Sequence, residues 1–259
     1  PQTPNPKPQT PNPEKDLNFA VDWSAMSKKD EKFTLAKFCE SIERFDDMFK
    51  YTLEGLELSE RIEQADLDLL TSACRNTLAP RRKAIRHLNS KEFSSNSGAR
   101  EIRGILEKLI VSITSSTRNI IQTKLLSLAK GVVERVTLLK LLSDLQRYDI
   151  EVDSENKIAY TKLAEKEYIK ALAEAEEGLS AVHSLRLGLS LKFAVFYYEL
   201  MENKKKATEV AKKAFDDAVA EMSDKVELQR ESNSYMQILK DNLTRWTSEL
   251  EEEENKHSS

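Results

Sequence analysis

Four polar residues within Leu138–Glu151, LLKLLSDLQRYDIE, are spaced to act together. Lys140, Asp144, Arg147 and Tyr148 stand at i, i+4, i+7 and i+8 and form one stripe on an α-helix. The stripe offers two cations, a carboxylate and a phenol. An arginine beside a tyrosine hydroxyl supplies strong donors for a tetrahedral oxyanion such as phosphate. The plainer alternative is a solvated face with an ordinary i,i+4 ion pair between Lys140 and Asp144. A second stripe, Arg75, Arg82 and Arg86 at i, i+7 and i+11, is wholly cationic. If the two stripes face each other across a concave surface, their guanidiniums offer parallel donors to a dianion.

Nothing else carries a reaction. His87, His183 and His257 are isolated, no HExxH or CxxC spacing occurs, and no glycine-rich phosphate loop is present. Cys39 and Cys74 lack metal spacing and suit a reducing compartment. The chain therefore reads as a binding protein with no metal and no cofactor, and not as an enzyme.

The elements that must position these stripes are helices. Leu138, Leu141, Leu142 and Leu145 fall at i, i+3, i+4 and i+7 and would fix their helix in a core. The chain has 259 residues, 32% charged and 39% hydrophobic, with only six glycines. Of seven prolines, six lie in the first thirteen residues and only Pro80 lies beyond them. Such a composition predicts an all-α protein. Helices are expected at about 31–44, 46–58, 61–92, 99–129, 133–153, 157–180, 184–202, 205–222 and 226–248. Short breaks between them make antiparallel neighbours, in a right-handed-superhelix-like array with one concave amphipathic groove. Ser27-Lys28-Lys29-Asp30 reads as a capping box that opens the first helix.

Three regions follow from the pattern. Residues 1–30 are a proline-rich extension, mostly disordered, with PQTPNP repeated at Pro1–Pro6 and Pro8–Pro13. Phe19, Val21, Trp23 and Met26 suggest an amphipathic stub within it. Residues 31–248 are the helical domain, and 249–259 an acidic flexible tail. A net charge of −4 disfavours nucleic acid as a partner. The absence of a secretory signal and of any apolar run of about eighteen residues or more gives the expectation of a cytoplasmic protein without membrane attachment.

Three stretches together carry a family resemblance. They are LLTSACRNTLAPRR at Leu69–Arg82, LRLGLSLKFAVFYYE at Leu185–Glu199 and MQILKDNLTRWTS at Met236–Ser248. ERFDDM at Glu43–Met48 and AFDDA at Ala214–Ala218 fit the same pattern. They strongly resemble the 14-3-3 family, from about residue 33 to 248. The resemblance implies a signal-transduction adaptor that binds phosphoserine or phosphothreonine in client proteins, usually as a dimer. It places the phosphate pocket on Arg75 (where the family usually has lysine), Arg82, Arg147 and Tyr148. It places Lys140 on the basic side of a peptide groove, with Leu191, Val195 and Ile238 as the apolar wall. Asn242 is expected to bond the ligand backbone, and Trp246 with Glu199 to flank the ligand on its N-terminal side.

Four departures from the family pattern stand out. Lys192 takes the place of a ligand-binding asparagine, so an acceptor is lost and a charge gained. Ser234 replaces an apolar wall residue. Pro80 interrupts a helix, removing one hydrogen bond and crowding the carbonyl of Asn76. The family dimer packs its first helix on the partner's third and fourth, aided by ion pairs. Arg44 and Asp47 keep one side of those pairs, but the other side falls on Leu109 and Ile105, and an aromatic position on Ile102. The pattern leaves open a homodimer that relies on apolar contact, a rearranged dimer or a monomer, and a phosphate-independent scaffold is the alternative reading of the altered groove. The tail, ending in Ser258-Ser259, is long enough to fold back over the cationic groove as an internal competitor.

Overall fold

The structure is a computed structural model that describes residues 26–93, 95–153, 156–222 and 230–257. The proline repeats, the expected stub at Phe19–Trp23 and Ser258-Ser259 lie outside the described residues. Among those residues every regular element is a helix: α1 Lys28–Ser41, α2 Phe45–Leu58, α3 Gln64–Leu88, α4 Ser97–Ile120, α5 Val132–Val152, α6 Lys157–Gly178, α7 Ser184–Glu199, α8 Lys204–Glu221 and α9 Arg230–His257. A wide π-helical turn, Ile121–Leu125, and a final turn, Leu126–Leu128, continue α4. The all-α fold read from composition is the fold observed.

Local chemistry sets the boundaries. The Ser27 side chain accepts from the Asp30 amide at 3.1 Å, so the expected N-cap opens α1, three residues earlier than its predicted start. With glycine scarce, two helix-to-helix turns use non-glycine residues in the left-handed region, Glu43 at φ 58° and Glu202 at φ 51°. Pro80 does not end α3, which runs on to Leu88 with the proline at the exposed surface.

Each helix packs on its neighbour in sequence, and α3 and α7 both also pack on α5. The core runs the length of the array. Leu138, Leu141, Leu142 and Leu145 are all buried, so the leucine face of α5 does what its spacing predicts. Tyr168, Phe193, Phe196 and Tyr197 form an aromatic cluster where α6 meets α7. Gly55 allows α1 to lie close on α2, because a Cβ there would come within 2.5 Å of the Phe33 ring.

The last helix runs further than its spacing predicts. The tail expected to be flexible from 249 is helical as far as His257. The Tyr198 hydroxyl donates to the Glu249 carboxylate at 2.8 Å, and Lys204 reaches Glu249 at 3.0 Å and Glu253 at 2.6 Å. Two glutamates spaced i,i+4 thus share one lysine from α8, a spacing that suits only a helix. The first turns of the tail lie against α7 and α8, not over the cationic residues.

Candidate phosphopeptide-binding groove

Helix α5 brings its polar stripe between α3 and α7, and the two cationic stripes meet there. The Arg82 guanidinium lies over the Tyr148 ring, 4.1 Å from its centroid. Arg82 also holds Glu151 through a two-pronged pair, with Nε to Oε2 at 2.7 Å, and Arg86 approaches the same carboxylate at 3.9 Å. Arg147 lies 3.7 Å from Glu199 of α7. Burial opposes its charge, but Tyr168, Asp144 and the exposed Glu199 more than offset that and hold it above the ordinary arginine range. Burial and Asp144 push the Tyr148 phenol up to about 12, against the pull of Arg82 and Arg147. Tyr148 is therefore a neutral donor at physiological pH.

Asp144 organises the next turn of the stripe. Its carboxylate accepts a short hydrogen bond from Lys192 of α7 and stands 3.9 Å from Lys140. The i,i+4 pair seen in the sequence is thus the weaker of two, and the long-range partner takes the hydrogen bond. Lys140 is pushed down to about 8, mainly by burial and by the Lys192 charge, with Arg75 adding to the effect and Asp144 opposing it. Arg75 is exposed, with its closest polar contact the Ser72 hydroxyl at 3.4 Å.

Beside Lys140 a cleft of about 340 Å³ opens between α3, α5, α7 and α9, lined in part by Asp68, Thr137, Lys140, Asp144, Glu231 and Tyr235. Gly188 admits Tyr235 to its wall, since a Cβ there would meet the phenol ring at 3.0 Å. The wall residues of α7, Leu191, Lys192 and Val195, are half-buried, whereas Phe193, Phe196 and Tyr197 turn into the core. On α9, Ile238 is exposed and Asn242 half-buried.

Trp246, expected to flank a ligand, lies within the wall of the array. It is fully buried and stacks on Tyr198 with ring centroids 4.8 Å apart. The extended tail explains this, because Glu249 and Arg245 hold Tyr198 over the indole. The indole N–H has no acceptor among the described residues.

Sequence reasoning missed Glu151 and Tyr168 as neighbours of the arginines. Glu151 carried a signal, since it extends the stripe to i+11 from Lys140. Tyr168, a core aromatic of α6, carried none.

A family model for the 14-3-3 protein matches residues 35–247. This chain belongs to the 14-3-3 family. It is 34% identical over 222 residues to 14-3-3-like protein 1 of Caenorhabditis elegans, a match spanning 83% of this chain and 90% of that one. It is 33% identical to 14-3-3-like protein GF14 epsilon of Arabidopsis thaliana, over 88% of this chain and 93% of the relative. It is also 33% identical to 14-3-3 protein zeta of Bombyx mori, over 86% and 94%. The 14-3-3 family supplies the general role, a phosphopeptide-binding adaptor and not an enzyme. No described helix of this 14-3-3 chain is long and apolar enough to cross a membrane.

Proposed function

We propose that this 14-3-3 chain docks client proteins by a phosphoserine or phosphothreonine held between α3 and α5. Arg75, Arg82, Arg147 and Tyr148 receive the phosphate. Lys140, Leu191, Lys192, Val195, Glu199, Ile238 and Asn242 line the bound segment, and Trp246 supports the wall from the core. The observation that carries this reading is Arg82 of α3 lying over Tyr148, the residue that follows Arg147 on α5. Two guanidiniums and a neutral phenol from different helices offer five or more donors to one small anion. The client partners are phosphorylated proteins, and a second copy of the chain binds through α1, α3 and α4 in the cytoplasm.

One observation favours a different reading. Arg82 faces Glu151 and Arg147 faces Glu199, so both guanidiniums have carboxylate partners within the chain. A phosphate-independent scaffold would keep those pairs closed and recognise partners elsewhere. Titrating phosphorylated and unphosphorylated copies of one arginine-rich serine peptide separates the two. Phosphate-dependent docking predicts binding of the phosphorylated copy alone, and equal binding of both contradicts it.

A further inference from the structure

The phosphate pocket does not use all of the groove's positive charge. One turn away, Lys140 and Lys192 share a single carboxylate, that of Asp144. Lys192 takes its hydrogen bond. Lys140 stands 3.9 Å off, too far to bond, and its ammonium makes no hydrogen bond to an acceptor among the described residues. Its side chain is only 21% exposed. A largely buried ammonium beside a second ammonium, with one carboxylate between them, has donors to spare and a field that favours another anion. Lys192 creates this imbalance, since it stands where the family pattern has a neutral amide.

We propose that Lys140 and Lys192 form a second anion site at the mouth of the α3–α5–α7–α9 cleft, which selects clients with an acidic side chain adjacent to the phosphorylated residue. The proposal rests on the phosphate-docking reading and adds a sequence preference to it. The acidic group completes the donor set of Lys140 and balances the second lysine, while the phosphate occupies the guanidiniums. Asp68 and Glu231, which line the same cleft, repel an anion that enters further. They confine the anion to the two lysines and favour the short aspartate side chain.

The test uses the full chain and four fluorescent peptides of one sequence. Three are phosphorylated: one with aspartate just before the phosphoserine, one with aspartate just after it, and one with asparagine at both places. The fourth is the unphosphorylated form of the asparagine peptide. The proposal predicts that one aspartate peptide binds roughly fivefold or more tighter than the phosphorylated asparagine peptide, as a half-buried ion pair allows. It also predicts that Lys192→Asn and Lys140→Gln each bring that ratio close to one, whatever they do to affinity as a whole. Reading the ratio keeps the test valid if either variant is weakened in general. No preference for either aspartate peptide, or a preference that survives both substitutions, overturns the proposal and leaves phosphate docking standing. Equal binding of the phosphorylated and unphosphorylated asparagine peptides instead overturns phosphate docking itself.

Discussion

The Arg82 guanidinium lies over the Tyr148 ring, 4.1 Å from its centroid, and at the same time holds Glu151. The ring and the carboxylate together hold the guanidinium, and Glu151 occupies donors that the proposed phosphate would use. On the proposed docking, binding exchanges one anion for another at an arginine already held in place.

Glu151→Gln removes the competing charge but keeps the size of the side chain. Phosphopeptide affinity is expected to rise roughly two- to fivefold, the range for a partly exposed ion pair. Isothermal titration at about 0.15 M salt reads this. A weaker complex would mean that Glu151 positions Arg82 for the ligand and does not compete with it.

Lys140 gives the groove a pH dependence of known sign. Its folded pKa of about 8 lies below the unfolded value near 10.5, owing to burial and to Lys192. Between those values the unfolded chain binds the extra proton, so this group makes the protein more stable as pH rises through that window. Phosphopeptide affinity moves the other way and falls as pH rises through about 8, with the phosphate dianionic throughout. Denaturant melts and peptide titrations from pH 7 to 10 check both trends. Lys140→Met should remove the two together, and affinity that stays flat across pH 8 contradicts the assignment.

Much of this arrangement was legible in the sequence, and the limits have physical causes. The leucine face of α5 and the stripe beside it follow from helical spacing, which is local. The carboxylates that meet the arginines are not local: Glu151 lies 69 residues from Arg82, and Glu199 lies on another helix from Arg147. At Asp144 the hydrogen bond goes to Lys192, which α7 delivers from 48 residues away in the sequence. Trp246 looked like a groove residue by position, and only the Tyr198–Glu249 contact shows why it is covered. The tail looked mobile because its charge run is uniform, and nothing nearby in sequence announces Lys204 as its anchor.

That anchor changes what truncation should do. A tail folded over the groove would compete with clients, and its removal would tighten binding. With Glu249 and Glu253 held by Tyr198 and Lys204, ending the chain at Ser248 is expected to leave affinity unaltered and lower Tm by a few degrees. Low-salt peptide titration and calorimetry of the truncated chain measure both. Tighter binding after truncation would restore the competitor reading.

Dimerisation, by this account, rests on apolar contact. Ile102, Ile105 and Leu109 on α4 are 53%, 54% and 42% exposed, and Ile42 after α1 is 63% exposed. Arg44 pairs within its own chain with Asp47 at 2.5 Å. Association through these surfaces should persist from low to high salt and be lost in Ile105→Asp. Analytical ultracentrifugation shows which holds, and dissociation by salt would point to ion pairs across the interface.

The most direct test of the central claim is the affinity of one phosphopeptide for the wild-type chain and for Arg147→Ala, with helix content followed by circular dichroism. Removing a charged partner of a bound phosphate costs about 2–5 kcal/mol. The account predicts a loss of roughly thirtyfold or more with unchanged helicity, and an unaltered affinity in Arg147→Ala would contradict it.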